Sequence, residues 1–277
     1  MRAPHEQIQH GINVTAMSEQ SLTGAVEMAV AAEEGGWDGV FVSDSIYFGA
    51  AEPWTVLSAI AARTERIKLG TWITPVPQLQ PWRLAHSIAT LDRLSNGRVI
   101  FGAGLGTRPE YERLGEVYDG AALGRRYDEA LELIVQLWQG KPVTFHGEFY
   151  DLRELTLPIT PVQQPRVPIL TAAWWPNRQA FRRATRWDGL MPYWPALLGD
   201  QTGPEGQQSS GRPVEDELRE MLEYYHSLSD DPGEILIPRG ERDDREYREL
   251  CAELGVTWLL PYFPMDLDEV RQGPPRS

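Results

Sequence analysis

Arg98-Val99-Ile100-Phe101-Gly102-Ala103-Gly104-Leu105-Gly106-Thr107 is the stretch that decides the fold. An apolar run without polar alternation suits a strand buried on both faces, and the glycines after it let the chain turn at its end. Upstream, Pro81 opens a helix in which Leu84, Ile88 and Leu91 recur at three- and four-residue steps, and Asn96-Gly97 caps it just before the strand. Helix, cap, buried strand and glycine turn make one βα unit.

Working outward, runs of the same character lie at 11–14, 39–43, 67–73, 168–171, 189–191, 234–237 and 256–260. Amphipathic helices separate them. The clearest covers 123–139, with Tyr127, Ala130, Leu131, Ile134, Leu137 and Trp138 on one face and Gly140 as its stop. Pro53 opens another with Val56, Leu57, Ile60 and Ala61, and Gly255 caps a third just before the last run. Such alternation builds a parallel sheet covered by helices, and eight strands close it. The expectation is therefore an α/β chain of the (β/α)8 class, a TIM barrel, forming one domain over 1–277. Its length of 277 residues suits a fold of about 250. Two segments depart from the alternation and are expected as insertions after strands 4 and 6. Residues 143–152 read as a hairpin around His146-Gly147; residues 196–212, rich in Gly, Gln, Ser and Pro, are either a lid or a plain connector.

Composition narrows the function classes. A formal charge of −14 repels phosphate backbones, so nucleic acid is not an expected partner. No apolar stretch approaches the roughly 20 residues of a membrane span, and residues 1–10 lack the apolar core of a secretory signal. A cytoplasmic protein is expected. The single cysteine, Cys251, has no partner within the chain, and no Cys/His spacing offers a metal site.

In a βα barrel the chemistry sits on loops leaving the C-terminal strand ends. Four are informative here: Ser43-Asp44-Ser45-Ile46, Thr74-Pro75-Val76-Pro77, the glycine turn ending at Thr107, and Thr171-Ala172-Ala173-Trp174-Trp175-Pro176-Asn177-Arg178. In the last, a helix N-terminus meets Arg178, as in a phosphate seat.

These pieces resemble the bacterial-luciferase-like family of flavin- and deazaflavin-dependent oxidoreductases. The likeness rests on Gly36-Trp37-Asp38-Gly39-Val40-Phe41, Thr64-Glu65-Arg66-Ile67-Lys68-Leu69-Gly70-Thr71 and Leu91-Asp92-Arg93-Leu94-Ser95-Asn96-Gly97-Arg98. It rests also on Pro161-Val162-Gln163-Gln164-Pro165-Arg166, and on Trp175-Pro176-Asn177-Arg178 through Arg186-Trp187-Asp188-Gly189. The resemblance implies a cofactor across the barrel mouth, either reduced FMN or coenzyme F420. It places Thr71, Trp72 and Thr74 behind the ring, in a stretch where family members often carry a non-proline cis peptide. Gly104, Leu105, Gly106 and Thr107 would meet the ribityl-phosphate tail, with Ala173, Trp174, Trp175, Asn177 and Arg178 closing from the other side.

One departure bears on catalysis. Many members carry Asp-His after the second strand, and here the pair is Asp44-Ser45. A serine hydroxyl has no proton affinity near neutral pH, so histidine-driven acid–base work is lost at this position. Asp44 either orients a ligand or caps the turn after it. His10, His86 and His146 lie where structural roles are expected. Gln78-Leu79-Gln80 stands where near relatives tend to carry arginines, which removes an anion contact.

Three activities fit. The main expectation is a monooxygenase using reduced FMN and O2 on a small, fairly hydrophobic organic substrate, with a flavin reductase as supplier and a homodimer as the assembly. The alternative is F420-dependent hydride transfer. The third is a flavin-binding barrel without turnover.

Overall fold

The computed structural model describes residues 8–15, 18–46, 51–198, 210–239, 245–261 and 265–275. The elements in order are β1 (Gln9–Asn13), α1 (Glu19–Gly35), β2 (Gly39–Val42), α2 (Pro53–Ala61), β3 (Lys68–Thr71), β4 (Thr74–Pro75), α3 (Pro81–Leu94), β5 (Val99–Gly104), α4 (Arg108–Arg113) and α5 (Gly120–Leu137). They continue with β6 (Val143–His146), β7 (Asp151–Leu155), β8 (Ile169–Trp174), α6 (Arg178–Ala184), β9 (Gly189–Tyr193), α7 (Val214–His226), β10 (Glu234–Arg239), α8 (Arg245–Glu253), β11 (Trp258–Pro261) and α9 (Leu267–Arg271).

Eight parallel strands pair in the cycle β1, β2, β3, β5, β8, β9, β10, β11 and back to β1. The barrel is closed, and each expected strand lies in it. The one at 67–73 is broken: β3 ends at Thr71, the Trp72–Ile73 peptide is cis, and β4 resumes beside β5. The cis bond falls in the stretch where the resemblance puts one. Residues 143–155 form the expected antiparallel hairpin, β6 with β7. Of residues 196–212, those at 199–209 lie outside the described residues.

The cap signals act as expected. Asn96 and Gly97 take left-handed φ values of 56° and 80°, and Gly255 takes 73°. Pro53 and Pro81 open their helices, and the Glu52 carboxylate caps α2 through the Trp54 and Thr55 amides.

Three apolar layers follow from strand parity. Inside the barrel lie Phe41, Ile100, Leu170, Met191, Leu236, Trp258 and Leu260. Phe41 and Trp258 meet edge to face at 5.7 Å and fill the space that side chains at Gly39 and Gly70 would need. Outside, α1, α2, α3 and α5 cover one arc of strands, and α6, α7 and α8 cover the other.

At the N-terminal end, the turns that feed the strands are held by buried or bracketed charges. The Arg98 guanidinium, 6% exposed, donates to the carbonyls of Ala61, Thr64, Ile67 and Ser95 and to the Thr64 hydroxyl, at 2.7 to 3.1 Å. Burial draws its proton affinity down, but Glu33 and Glu65 oppose this. Glu33 itself accepts the backbone N–H groups of Glu65, Arg66 and Ile67. Asp92 accepts those of Val162 and Gln163, Asp188 that of Ile169, and Asp38 that of His10.

Replacing Arg98 by Leu strands four carbonyls in an apolar setting. Arg98→Leu is expected to cost about 3 to 5 kcal/mol of unfolding free energy in urea titrations, as truncating a buried charged partner does. A loss under about 1 kcal/mol would show that the network is dispensable.

Candidate active site

The C-terminal strand ends gather Asp44 and Ser45 after β2, Trp72 and Thr74 around β4, Leu105 to Thr107 after β5, Trp174 ending β8 and Tyr193 ending β9. A cleft of about 550 Å3 lies at the opposite, N-terminal end, between residues 8–10, Gly35, Gly36, Asp38 and the 272–275 segment. The chemistry-bearing side chains are not there. Position in a barrel, more than cavity size, marks the site.

Tyr193 stands edge-on to Trp72 and to Trp174, with ring centroids 5.8 Å away in each case. This aromatic corner, above the apolar barrel interior, keeps water from one side of the mouth.

Across from it lies the electrostatic centre. Burial pushes the Asp44 carboxyl up to about 7 from an ordinary 3.8. The Thr74 hydroxyl lies near enough to offset part of this, though the two groups do not reach good hydrogen-bond geometry. The Glu52 and Glu110 carboxylates push it further up, and no cation is among the groups that act on it. Asp44 does not cap the following turn: its Oδ2 is buried with no hydrogen-bond partner among the described residues. Ser45 donates its hydroxyl to Glu110 Oε1 at 3.1 Å.

Glu110 is 3% exposed and was invisible to sequence reasoning. The one signal was its place three residues after Thr107, which reads as an ordinary capping box. The structure does not build that box: Thr107 makes no capping hydrogen bond.

Buried polar atoms without partners test the fit of a cofactor. Asp44 Oδ2, Thr74 Oγ1, Gln78 Nε2 and Thr107 Oγ1 are all of this kind at this end of the barrel. Such groups cost free energy unless a ligand or water completes them, so the mouth suits a polar heterocycle with donors and acceptors along its edge. Gln78 stands where an arginine was looked for, and it offers hydrogen bonds in place of charge.

Several residues expected at the cofactor hold contacts of their own. The Thr71 hydroxyl is spent on the Gly102 backbone, donating to its carbonyl at 2.9 Å and accepting from its amide at 3.2 Å. Ala173 and Trp175 face the outer layer, where Trp175 packs on Phe181 and Tyr224. Asn177 uses its carboxamide oxygen on the Gln179 amide, and the Arg178 guanidinium lies 4.9 Å above the Tyr224 ring. Gly104 and Gly106 answer to their own neighbours: a side chain at Gly104 would press on Ile73, and one at Gly106, whose φ is 81°, on Pro75 and Gln78. Asp44, Ser45, Trp72, Thr74, Leu105, Thr107 and Trp174 remain at or beside the mouth. His146 pairs with Asp151 on the exposed hairpin, far from any role expected of a base.

The model for luciferase-like monooxygenases matches residues 7–199. The chain belongs to this family. It is 35% identical over 225 residues to an F420-dependent glucose-6-phosphate dehydrogenase of Nakamurella multipartita, covering 74% of this chain and 63% of that protein. The chain thus spans less than two thirds of the length of that curated relative. Among solved structures, an F420-dependent secondary alcohol dehydrogenase in complex with an F420–acetone adduct superposes with a TM-score of 0.72 at 19% identity, over 96% of each chain. The oxygenating constituent of 3,6-diketocamphane monooxygenase from Pseudomonas putida, in complex with FMN, superposes at 0.68 with 18% identity, over 84% of this chain and 67% of that one. At such identities the structures speak for the luciferase-like fold alone. Among the described residues no helix is long and apolar enough to cross a membrane, and no His, Cys, Asp or Glu cluster could hold a metal.

The raised Asp44 value has a thermodynamic signature. The folded state holds this proton more tightly than the unfolded chain, so ionising Asp44 removes stability as pH climbs from about 4 to about 7. A shift of about three units caps the effect near 4 kcal/mol, and partial water access lowers it. Asp44→Asn is expected to gain roughly 1 to 3 kcal/mol over the natural chain at pH 8 and little at pH 4. Equal effects at both pH values in thermal unfolding would contradict the raised value.

Proposed function

We propose that this chain is an F420-dependent oxidoreductase that moves a hydride between the deazaflavin and the carbinol carbon of a small, fairly hydrophobic substrate, with Asp44 as proton acceptor. The observation that carries this is the buried Asp44 carboxyl, unpartnered at Oδ2 and poised at about 7. The curated relatives named for F420 support it over the FMN and O2 alternative. A flavin reductase partner belongs to that alternative only.

When bound, the deazaflavin supplies a carbon that takes up or gives back a hydride. Thr74, Gln78 and Thr107 present the free hydrogen-bonding atoms that would hold it at the mouth. Alcohol oxidation gives up a C–H as hydride and an O–H as a proton, and the proton needs a base. Serine cannot serve, and among the described residues no histidine stands at the C-terminal end of a barrel strand. A carboxylate with proton affinity matched to neutral pH can, because general-base efficiency peaks when acceptor pKa lies near working pH. Trp72, Tyr193 and Trp174 exclude water from the apolar side, which keeps the carboxyl's proton affinity high and offers the substrate a hydrophobic wall.

Absorbance titration with F420 is expected to show binding by both the natural chain and Asp44→Asn, with affinities within about threefold. Steady-state oxidation of a panel of secondary alcohols should then fall about 10²- to 10⁴-fold in Asp44→Asn, the usual contribution of a general base. Binding of FMN with NAD(P)H-linked oxygen uptake, and none of F420, would return the assignment to the monooxygenase.

A further inference from the structure

Strand parity decides which side chains the mouth presents to a ligand. Met191 faces the barrel interior while Leu190 and Trp194 lie in the outer layer, so Tyr193 points inward, and it packs on the interior cluster. Leu170 also faces inward, which turns Ala172 and Trp174 the same way on β8. One level down, Ile100, Gly102, Leu170 and Met191 are buried, and Met191 Sδ lies 3.1 Å from where a side chain on Gly102 would begin. At the level of the mouth, Ile73, Ala172, Trp174 and Tyr193 stay partly exposed. Ile73 fills the space above Gly104, with Ala172 beside it, so the floor of this apolar patch is closed.

Tyr193 is the wall of the patch, and it is held from several directions. Its ring meets Trp72 at 72° and Trp174 at 75°, with an indole edge-on at either side. Its carbonyl accepts the Trp175 amide at 2.7 Å, and Trp194, fully buried, anchors the next residue in the outer layer. Two residues further on, the Ala196 amide donates to Glu217 Oε2 at 2.9 Å, and Glu217 is itself buried on α7. A ring packed this closely moves only by displacing its neighbours. Such a wall sets a limit on size.

We infer that Tyr193 is the specificity-determining residue of the substrate site: its ring restricts the groups on the carbinol carbon to small alkyl substituents, so that the chain acts on small secondary alcohols and the matching ketones. This deepens the reading of the mouth as a site of alcohol oxidation and rests on it. The polar atoms of Asp44, Thr74, Gln78 and Thr107 suit a hydroxyl and a heterocycle, and the patch of Ile73, Ala172, Trp174 and Tyr193 suits the hydrocarbon end. Carbon atoms added beyond the limit press on close-packed side chains, which makes the cut-off steep.

With F420 as acceptor, the kcat/KM ratio of cyclohexanol to isopropanol is expected to rise by on the order of tenfold or more in Tyr193→Ala, since a single methylene in an apolar pocket already changes selectivity by about that factor. Tyr193→Phe keeps the ring and should leave the ratio within about twofold of the natural chain's. Where Tyr193→Ala does not fold, Tyr193→Leu, smaller than tyrosine and still apolar, should move the ratio in the same direction. Dissociation constants of acetone and cyclohexanone, measured by ligand-observed NMR on the chain alone, read the same wall without turnover. Ratios unmoved in both measurements overturn the role of Tyr193 and leave the hydride reading standing. An F420 affinity lowered more than about tenfold with the ratios unmoved also overturns it, because the cofactor and not the substrate then lies against this ring. If the natural chain oxidises neither alcohol, the hydride reading fails, and the ketone constants alone decide whether Tyr193 limits what the mouth accepts.

Discussion

The Arg98 guanidinium is the tie on which the barrel's lower end depends. It gathers carbonyls from the end of α2, the turn before β3 and the turn before β5, so one side chain sets the relative height of two strands that close the barrel. Glu33 bonds the same turn from α1, while Asp92 and Asp188 do the equivalent for the segment entering β8. Each charge is met by backbone dipoles, and Asp188 also by the Arg166 guanidinium at 3.0 Å, which lets it lie at the edge of the core. With the lower end tied this way, the upper ends of the strands can carry groups chosen for chemistry and still stay in register.

The upper end departs from the full satisfaction seen at Arg98. Asp44 Oδ2, Thr74 Oγ1, Gln78 Nε2 and Thr107 Oγ1 are buried without partners, whereas the Arg98 site is fully satisfied. A domain stable by only some 5 to 15 kcal/mol tolerates several such groups when the remainder of its packing is dense. Phe41 and Trp258, set into the spaces opposite glycines, supply that density inside the barrel. Four such atoms gathered at the strand ends are what is expected where a ligand completes the structure.

This division explains what could be read in the sequence. The eight strands, the proline starts and the glycine caps were legible because each is a local signal that the barrel confirms. The motifs behind the family resemblance were legible too, yet most turn out to be lower-end clamps: Asp38, Thr64 to Ile67, Asp92 with Gln163, Arg98 and Asp188. They specify scaffold. The site was only half legible, since proximity across loops has no sequence period. Asp44 and Ser45 were singled out, but neither the burial that tunes Asp44 nor the reach of Glu110 could be seen. For Arg178 the helix start was legible, but not the tyrosine on α7, distant in sequence, over which its guanidinium lies.

With Ser45 where the family usually carries histidine, the proposed proton chemistry falls to the neighbouring Asp44 and is tuned differently. A histidine titrates near neutrality with no help from its surroundings, whereas a carboxylate starts near 4 and must be raised by dehydration and like charge. Both conditions are present around Asp44, in its burial and in the Glu52 and Glu110 carboxylates, and the Ser45 hydroxyl bonds Glu110 at 3.1 Å. A cationic imidazole at the same position would have the opposite effect, stabilising the ionised Asp44 and drawing its pKa down. Ser45 and a raised Asp44 are thus physically consistent with each other in a way that histidine and a raised Asp44 are not.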